Sequence, residues 1–122
     1  KVEYLNDGSP ECPLIRFYDF TDAEAHQLRR ICLRLADTSP QDYDLTRIPW
    51  VEAISGTRFR VANSDSREQL VHDGENITIR LVNETWDDIA ALVAPFADGG
   101  SGFQWMYQIN NINLLLSKDG LW

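Results

Sequence analysis

The sequence predicts an α+β domain: one mostly antiparallel sheet of about six to seven strands, with two helices packed on one face. Three observations lead there. Short stretches alternate apolar and polar residues at the period of a strand. At two places the period lengthens to that of a helix, each time after a threonine. Turn-forming residues fall between the alternating stretches at hairpin spacing. The predicted order is β-α-β-β-β-β-α-β-β. The length of 122 residues, with 43% apolar and 25% charged side chains, fits a single globular domain.

Residues 1–12, KVEYLNDGSPEC, carry the turn signals Asp7-Gly8 and Ser9-Pro10 and no sustained period, so an irregular N-terminal segment precedes a domain spanning 13–122. From Pro13, PLIRFYDF alternates, with Ile15 and Phe17 on one side and Arg16 and Tyr18 on the other. Thr21-Asp22-Ala23-Glu24 is a capping-box pattern, in which hydroxyl and carboxylate satisfy free backbone N–H groups reciprocally. Leu28, Ile31, Cys32 and Leu35 follow as one apolar stripe, and Arg29, Arg30 and Arg34 sit where the helix dipole favours cations. Asp37-Thr38-Ser39-Pro40 stops this helix, and a long polar loop runs from Thr38 to Pro49.

WVEAISGTRFRV reads as a hairpin about Ser55-Gly56, which turns Trp50, Ile54, Phe59 and Val61 to one face with Glu52 among them, opposite Phe59. EQLVHD and NITIRLV form a further pair through Asp73-Gly74-Glu75, with Ile77, Ile79 and Leu81 as the apolar face. A second helix is predicted from Thr85, with the stripe Ile89, Leu92, Val93 and Phe96, ended or kinked by Pro95. A glycine-rich connection leads to GFQWMYQINNINLLLSKDGLW. Asn110-Asn111 tolerates the positive φ angles of a tight turn, so Ile109 should face Ile112, Tyr107 face Leu114, and Trp105 face Leu116. That register gathers Phe103, Trp105, Tyr107, Ile109, Ile112, Leu114 and Leu116 on one core-facing side. Asp119-Gly120 makes another turn, after which Leu121-Trp122 starts a strand, caps the core or marks a cut end.

IRFYDFTDAEAHQL (Ile15 to Leu28) and IRLVNETWDDIAAL (Ile79 to Leu92) are offset by 79 − 15 = 64 positions, with Ile15/Ile79, Arg16/Arg80, Thr21/Thr85 and Leu28/Leu92 identical. A β-α-β-β duplication would explain the match, and so would convergence on a strand followed by a capped helix.

Function is less legible than fold. A net charge of −8, from 11 basic and 19 acidic side chains, argues against a general nucleic-acid binder, which needs a positive field. No run approaches the roughly 18 apolar residues of a membrane span. No charged-then-apolar leader opens the chain, and a cytoplasmic protein is expected. The start at Lys1 rather than Met points to a removed N-terminal piece and leaves a lost signal peptide open. Cys12 and Cys32 belong to no ligand cluster, and no metal or other cofactor is expected. They read as one tail thiol and one helix-core thiol, with a Cys12–Cys32 disulfide as the alternative. No motif marks a known family or a catalytic centre. His26 and Cys32, six positions apart on a helix, point about 600° apart in rotation and form no dyad.

The sheet face away from the helices should carry Arg16, Tyr18, Arg58, Arg60 and Arg80. Arginine and tyrosine are enriched and lysine depleted where proteins meet. The first reading is therefore a non-enzymatic interaction module that binds another protein, or a second copy of itself as a homodimer, through this face or the 38–49 loop. The same four arginines also suit an anionic ligand through bidentate contacts. The alternative is a small-molecule or catalytic site around Glu52 and His72. There a core-facing Glu52 would have a raised pKa and could act as acid or base.

Overall fold

The computed structural model describes residues 1–122, except the side chain of Ser55. Its strands are β1 (Val2–Leu5), β2 (Leu14–Tyr18), β3 (Asp42–Asp44), β4 (Arg58–Ser64), β5 (Gln69–Asp73), β6 (Asn76–Val82), β7 (Phe103–Ile109) and β8 (Ile112–Ser117). The helices are α1 (Asp22–Leu35) and α2 (Asn83–Ala97). The α+β class holds, but the single, mostly antiparallel sheet does not. There are two mixed four-stranded sheets, β1-β2-β8-β7 and β3-β4-β6-β5. The physical reason is non-local. In each sheet the hairpin-like pairs are antiparallel, while the central pairs β2–β8 and β4–β6 are parallel and join distant segments.

Both halves of the chain run β-β-α-β-β: β1-β2-α1-β3-β4, then β5-β6-α2-β7-β8. Each half gives one strand pair to each sheet. Exchanging the halves turns the order β1-β2-β8-β7 into β5-β6-β4-β3, which is the other sheet. The residues matched at offset 64 occupy corresponding places. Ile15 and Ile79 are buried on the inner faces, and Arg16 and Arg80 point to the outer ones. The helices pack against each other, not separately on one sheet face.

One continuous core joins the inner faces of both sheets to both helices. Its members include Ile15, Leu114 and Leu116 from the first sheet, and Phe59, Val61, Ile77 and Ile79 from the second. Ile31, Cys32 and Leu35 of α1 meet Trp86, Ile89, Val93 and Phe96 of α2 there. The capping box forms as predicted: Glu24 N–H donates to Thr21 Oγ1 at 3.1 Å, and Thr21 N–H to Glu24 Oε1 at 2.9 Å. The far end of α1 is held by a buried side chain from β4. Asn63 Nδ2 lies 3.1, 3.1 and 2.8 Å from the carbonyls of Leu35, Asp37 and Ser39, and Asn63 Oδ1 accepts from Gln41 N–H at 2.9 Å. The Leu35 carbonyl is one that the helix terminus leaves without an intrahelical partner, and those of Asp37 and Ser39 belong to the loop that follows. Helix α2 starts two residues before Thr85 and carries Pro95 in its last turn, where the missing N–H forfeits one intrahelical bond and the helix ends two residues later, at Ala97. Gly100 follows, and a Cβ there would stand 2.6 Å from the Pro95 carbonyl.

Three local expectations change. The N-terminal segment is not wholly irregular: β1 pairs with β2, placing Glu3 opposite Arg16, and Val2 is fully buried. The Ser55-Gly56 hairpin is absent. Ile54–Gly56 is a short 3-10 turn, and the chain before it runs beside β1, with Val2 N–H donating to the Glu52 carbonyl at 2.9 Å. The β7–β8 hairpin has the predicted turn, Asn110 and Asn111 at φ 52° and 62°, with Ile109 opposite Ile112 and Tyr107 opposite Leu114. A bulge between Trp105 and Tyr107 then shifts the register, so Trp105 faces Leu115 and Met106 turns into the core. Phe103 and Trp105 consequently lie on the outer face, away from the other five residues of the expected apolar row.

Candidate interaction surfaces

The five residues expected on one open face divide between two. Arg16 and Tyr18 belong to the outer face of the first sheet, and Arg58, Arg60 and Arg80 to that of the second. The two outer faces are topologically equivalent, and the chain treats them differently.

On the first sheet the outer face is covered. After β8 the chain turns back: Gly120 N–H donates to Ser117 Oγ at 3.0 Å, and Ser117 Oγ–H donates to the Leu121 carbonyl at 2.7 Å. Gly120, at φ 88°, lies so close to the sheet that a Cβ would be 3.0 Å from the Tyr18 ring. Arg16 is enclosed beneath it. Its Nε donates to Glu3 Oε1 at 2.8 Å, its Nη2 lies 2.6 Å from the same oxygen, and its Nη1 donates to the Gly120 carbonyl at 2.9 Å. Its guanidinium stacks 4.0 Å above the Tyr18 ring, and only 19% of the side chain is exposed. The N-terminal segment closes the other end of this face, where Asn113 Nδ2 donates to the Glu11 carbonyl at 2.8 Å.

On the second sheet the outer face stays open. Rows across it read Arg58, Asn76 and Asp73; Arg60, Thr78 and Val71; Ala62, Arg80 and Gln69. Arg58 and Arg60 are 61% and 47% exposed, and Val71 is an exposed apolar side chain among them. Asp44 and Asp42 of β3 sit at the edge: Arg60 Nη2 is 2.8 Å from Asp42 Oδ1, and Arg58 Nη1 is 3.9 Å from Asp44 Oδ2. Asp44 is also fixed from below. Burial pushes its carboxyl up, but hydrogen bonds from Thr46 and the charges of Arg60 and Arg47 outweigh that and hold it below the usual range. Arg80 Nη1 donates to the Asn63 carbonyl at 3.3 Å.

Glu52 and His72 are both exposed, so the burial that would have tuned Glu52 is missing. His72 stacks edge-on against Tyr4, with ring centroids 4.7 Å apart. The thiols are free. Cys12 is half-buried near Ser9, and burial pushes the Cys32 thiol up to about 12, against a smaller backbone hydrogen bond, which makes it an inert core group. Among the described residues, no group of three or more His, Cys, Asp or Glu side chains is placed to hold a metal ion, and no helix is long and apolar enough to cross a membrane.

Two clusters escaped the sequence reading. Glu68 ties three elements together, accepting from Tyr107 Oη on β7, from Thr85 on α2 and from Val82 N–H at the end of β6. The second is a cleft of about 460 Å³ at the margin of the covered face, lined by Ser9, Glu11, Phe103, Trp105, Gly120, Leu121 and Trp122. Alternation alone put Trp105 in the core, and only the bulge releases it to this cleft. Comparison with known proteins gave no significant match: no family model, no curated protein and no solved structure.

Proposed function

We propose that this protein is a non-enzymatic interaction module that associates through the outer face of its second sheet. One contrast carries the reading: of two topologically equivalent sheet faces, one is sealed by the chain itself and the other is left bare. Arg58, Arg60 and Arg80 supply the contacts. The Arg60–Asp42 pair is exposed on both sides and contributes about 0–1 kcal/mol, and Arg58, itself 61% exposed, reaches the largely buried Asp44 only at 3.9 Å, so both guanidinium groups are free to meet carboxylates on a partner. The face is also self-complementary. Rows of Arg and Asp on one copy suit the same rows on a second copy related by a two-fold axis. Two copies of this chain are therefore the partner to test first.

Sedimentation across a range of concentrations should show a dimer that weakens as salt rises. The double substitution Arg58→Ala and Arg60→Ala should leave the circular dichroism spectrum unchanged and shift the equilibrium to monomer. A chain that stays monomeric at every concentration, or a dimer indifferent to both substitutions, contradicts the proposal.

A further inference from the structure

The cleft at the edge of the first sheet combines features that its neighbours do not. Of five large apolar side chains exposed among the described residues, three are Phe103, Leu121 and Trp122, and all three line it. Trp105 also lines it, edge-on to Phe103 with ring centroids 6.4 Å apart. Its one charged lining residue is Glu11. A backbone hydrogen bond of its own residue, then those from Ser9 and Trp122, hold the Glu11 carboxyl below the usual range. Trp122 Nε1 donates to Glu11 Oε2 at 3.3 Å, so one carboxylate oxygen is engaged by the cleft wall. No cation lines the cleft itself; Arg16, whose guanidinium stands 5.7 Å from the centre of the Trp122 ring, has its charge already paired with Glu3 at 2.6 Å.

Aromatic faces around a fixed carboxylate form a receptor for a cation, and a planar one gains most: it stacks on the rings while donating in-plane to the acid. One layer below, the chain uses the same combination for itself, with Arg16 stacked 4.0 Å over Tyr18 and paired to Glu3. We infer that the Glu11–Trp105–Trp122 cleft binds an arginine side chain presented by a basic segment of a partner protein. Charge complementarity selects the occupant. The whole chain carries −8, which steers a basic segment inward, and the cleft supplies the fixed anion and the stacking surfaces. A cleft of about 460 Å³ accommodates one such side chain with its flanking backbone. The site lies on the other sheet from Arg58 and Arg60 and does not rest on the function proposed above.

The test is a calorimetric titration of the full chain at low salt with a flexible peptide of alternating arginine and glycine. A matched peptide carrying citrulline, the uncharged isostere of arginine, is the comparison. Saturable one-site binding is expected for the arginine peptide alone. Glu11→Gln keeps the shape of the loop and should weaken binding by about tenfold, the scale of one charge-assisted contact. Trp105→Ala should weaken it by at least as much. Asp87→Asn with Asp88→Asn, on the exposed surface of α2, should change it less than about twofold if attraction is local rather than diffuse. The inference is overturned if the unaltered chain shows no saturable binding, if Glu11→Gln binds as tightly as the unaltered chain, or if the α2 pair weakens binding equally. It is also overturned if citrulline serves as well as arginine, or if Trp105→Ala dissolves a dimer, since the cleft would then be occupied by a second copy.

Discussion

Truncating Leu114 to alanine tests the shared core most directly. Leu114 is 2% exposed, paired with Ile15 on one side and Tyr107 on the other, and it borders an apolar void of about 30 Å³ also lined by Ile79, Val93 and Met106. Leu114→Ala removes three carbons, worth about 2.4 kcal/mol at roughly 0.8 kcal/mol each. The new space merges with the existing void, so the walls gain little by collapsing, and a cavity term of about 24 cal/mol per Å³ applies to much of it. The expected loss is about 3–5 kcal/mol. With about 2.1 cal/mol/K of unfolding entropy per residue, 122 residues give about 0.26 kcal/mol/K, so Tm should fall by about 10–20 °C. Urea unfolding followed by circular dichroism measures the free energy, and an unchanged m-value guards against altered cooperativity. Leu33→Ala, on the exposed side of α1, should stay within about 0.5 kcal/mol of the parent. A Leu114→Ala loss below about 1.5 kcal/mol with unchanged m would refute the placement of β8 at the centre of the core.

Two further outcomes follow from the chain's own contacts. Gly120→Ala forces a side chain into the left-handed region and against Tyr18, so stability should drop by about 1–2 kcal/mol and the tail should lift, raising quencher access to Trp122 in fluorescence. For Glu68, burial opposes the charge, but hydrogen bonds from Tyr107, Thr85 and Val82 prevail and its carboxyl titrates below the ordinary value of 4.5. The folded pKa is depressed, so its contribution is fully present above 4.5 and is lost as pH falls through the folded value. Glu68→Gln should therefore lower stability at neutral pH and flatten the acid limb of the stability curve; an unchanged limb would mean the contacts carry no linkage.

Local chemistry was readable wherever a residue's role is set by near neighbours in sequence. Thr21 and Glu24 announced α1, and Asn110-Asn111 fixed both the turn and the first pairs of the β7–β8 hairpin. Alternation also sorted Arg58, Arg60 and Arg80 correctly to the outside of one sheet. What failed was long-range or irregular. Periodicity says that Ile15 needs a partner, but not that the partner is Leu114, so one sheet could not be told from two. A single inserted residue at Met106 reversed the assignment of Phe103 and Trp105, and with it hid the cleft. Strand β3 has three residues and β1 four, too few for a period to declare itself. Glu52 was misplaced because Ser55-Gly56, a legitimate turn signal, is used in a 3-10 turn, and the stretch before it runs beside β1 instead of pairing with β4.

The exchange of strands between halves also orders events during synthesis. All four strands of the β3-β4-β6-β5 sheet precede α2, so that sheet can close while the chain is still growing. Its counterpart must wait longer, because β8, the last of its own four strands in sequence, belongs in the middle, between β2 and β7. The β1–β2 ribbon must therefore wait with a naked hydrogen-bonding edge until β8 arrives, and that edge is where a nascent or heat-stressed molecule is most open to pairing with the wrong chain.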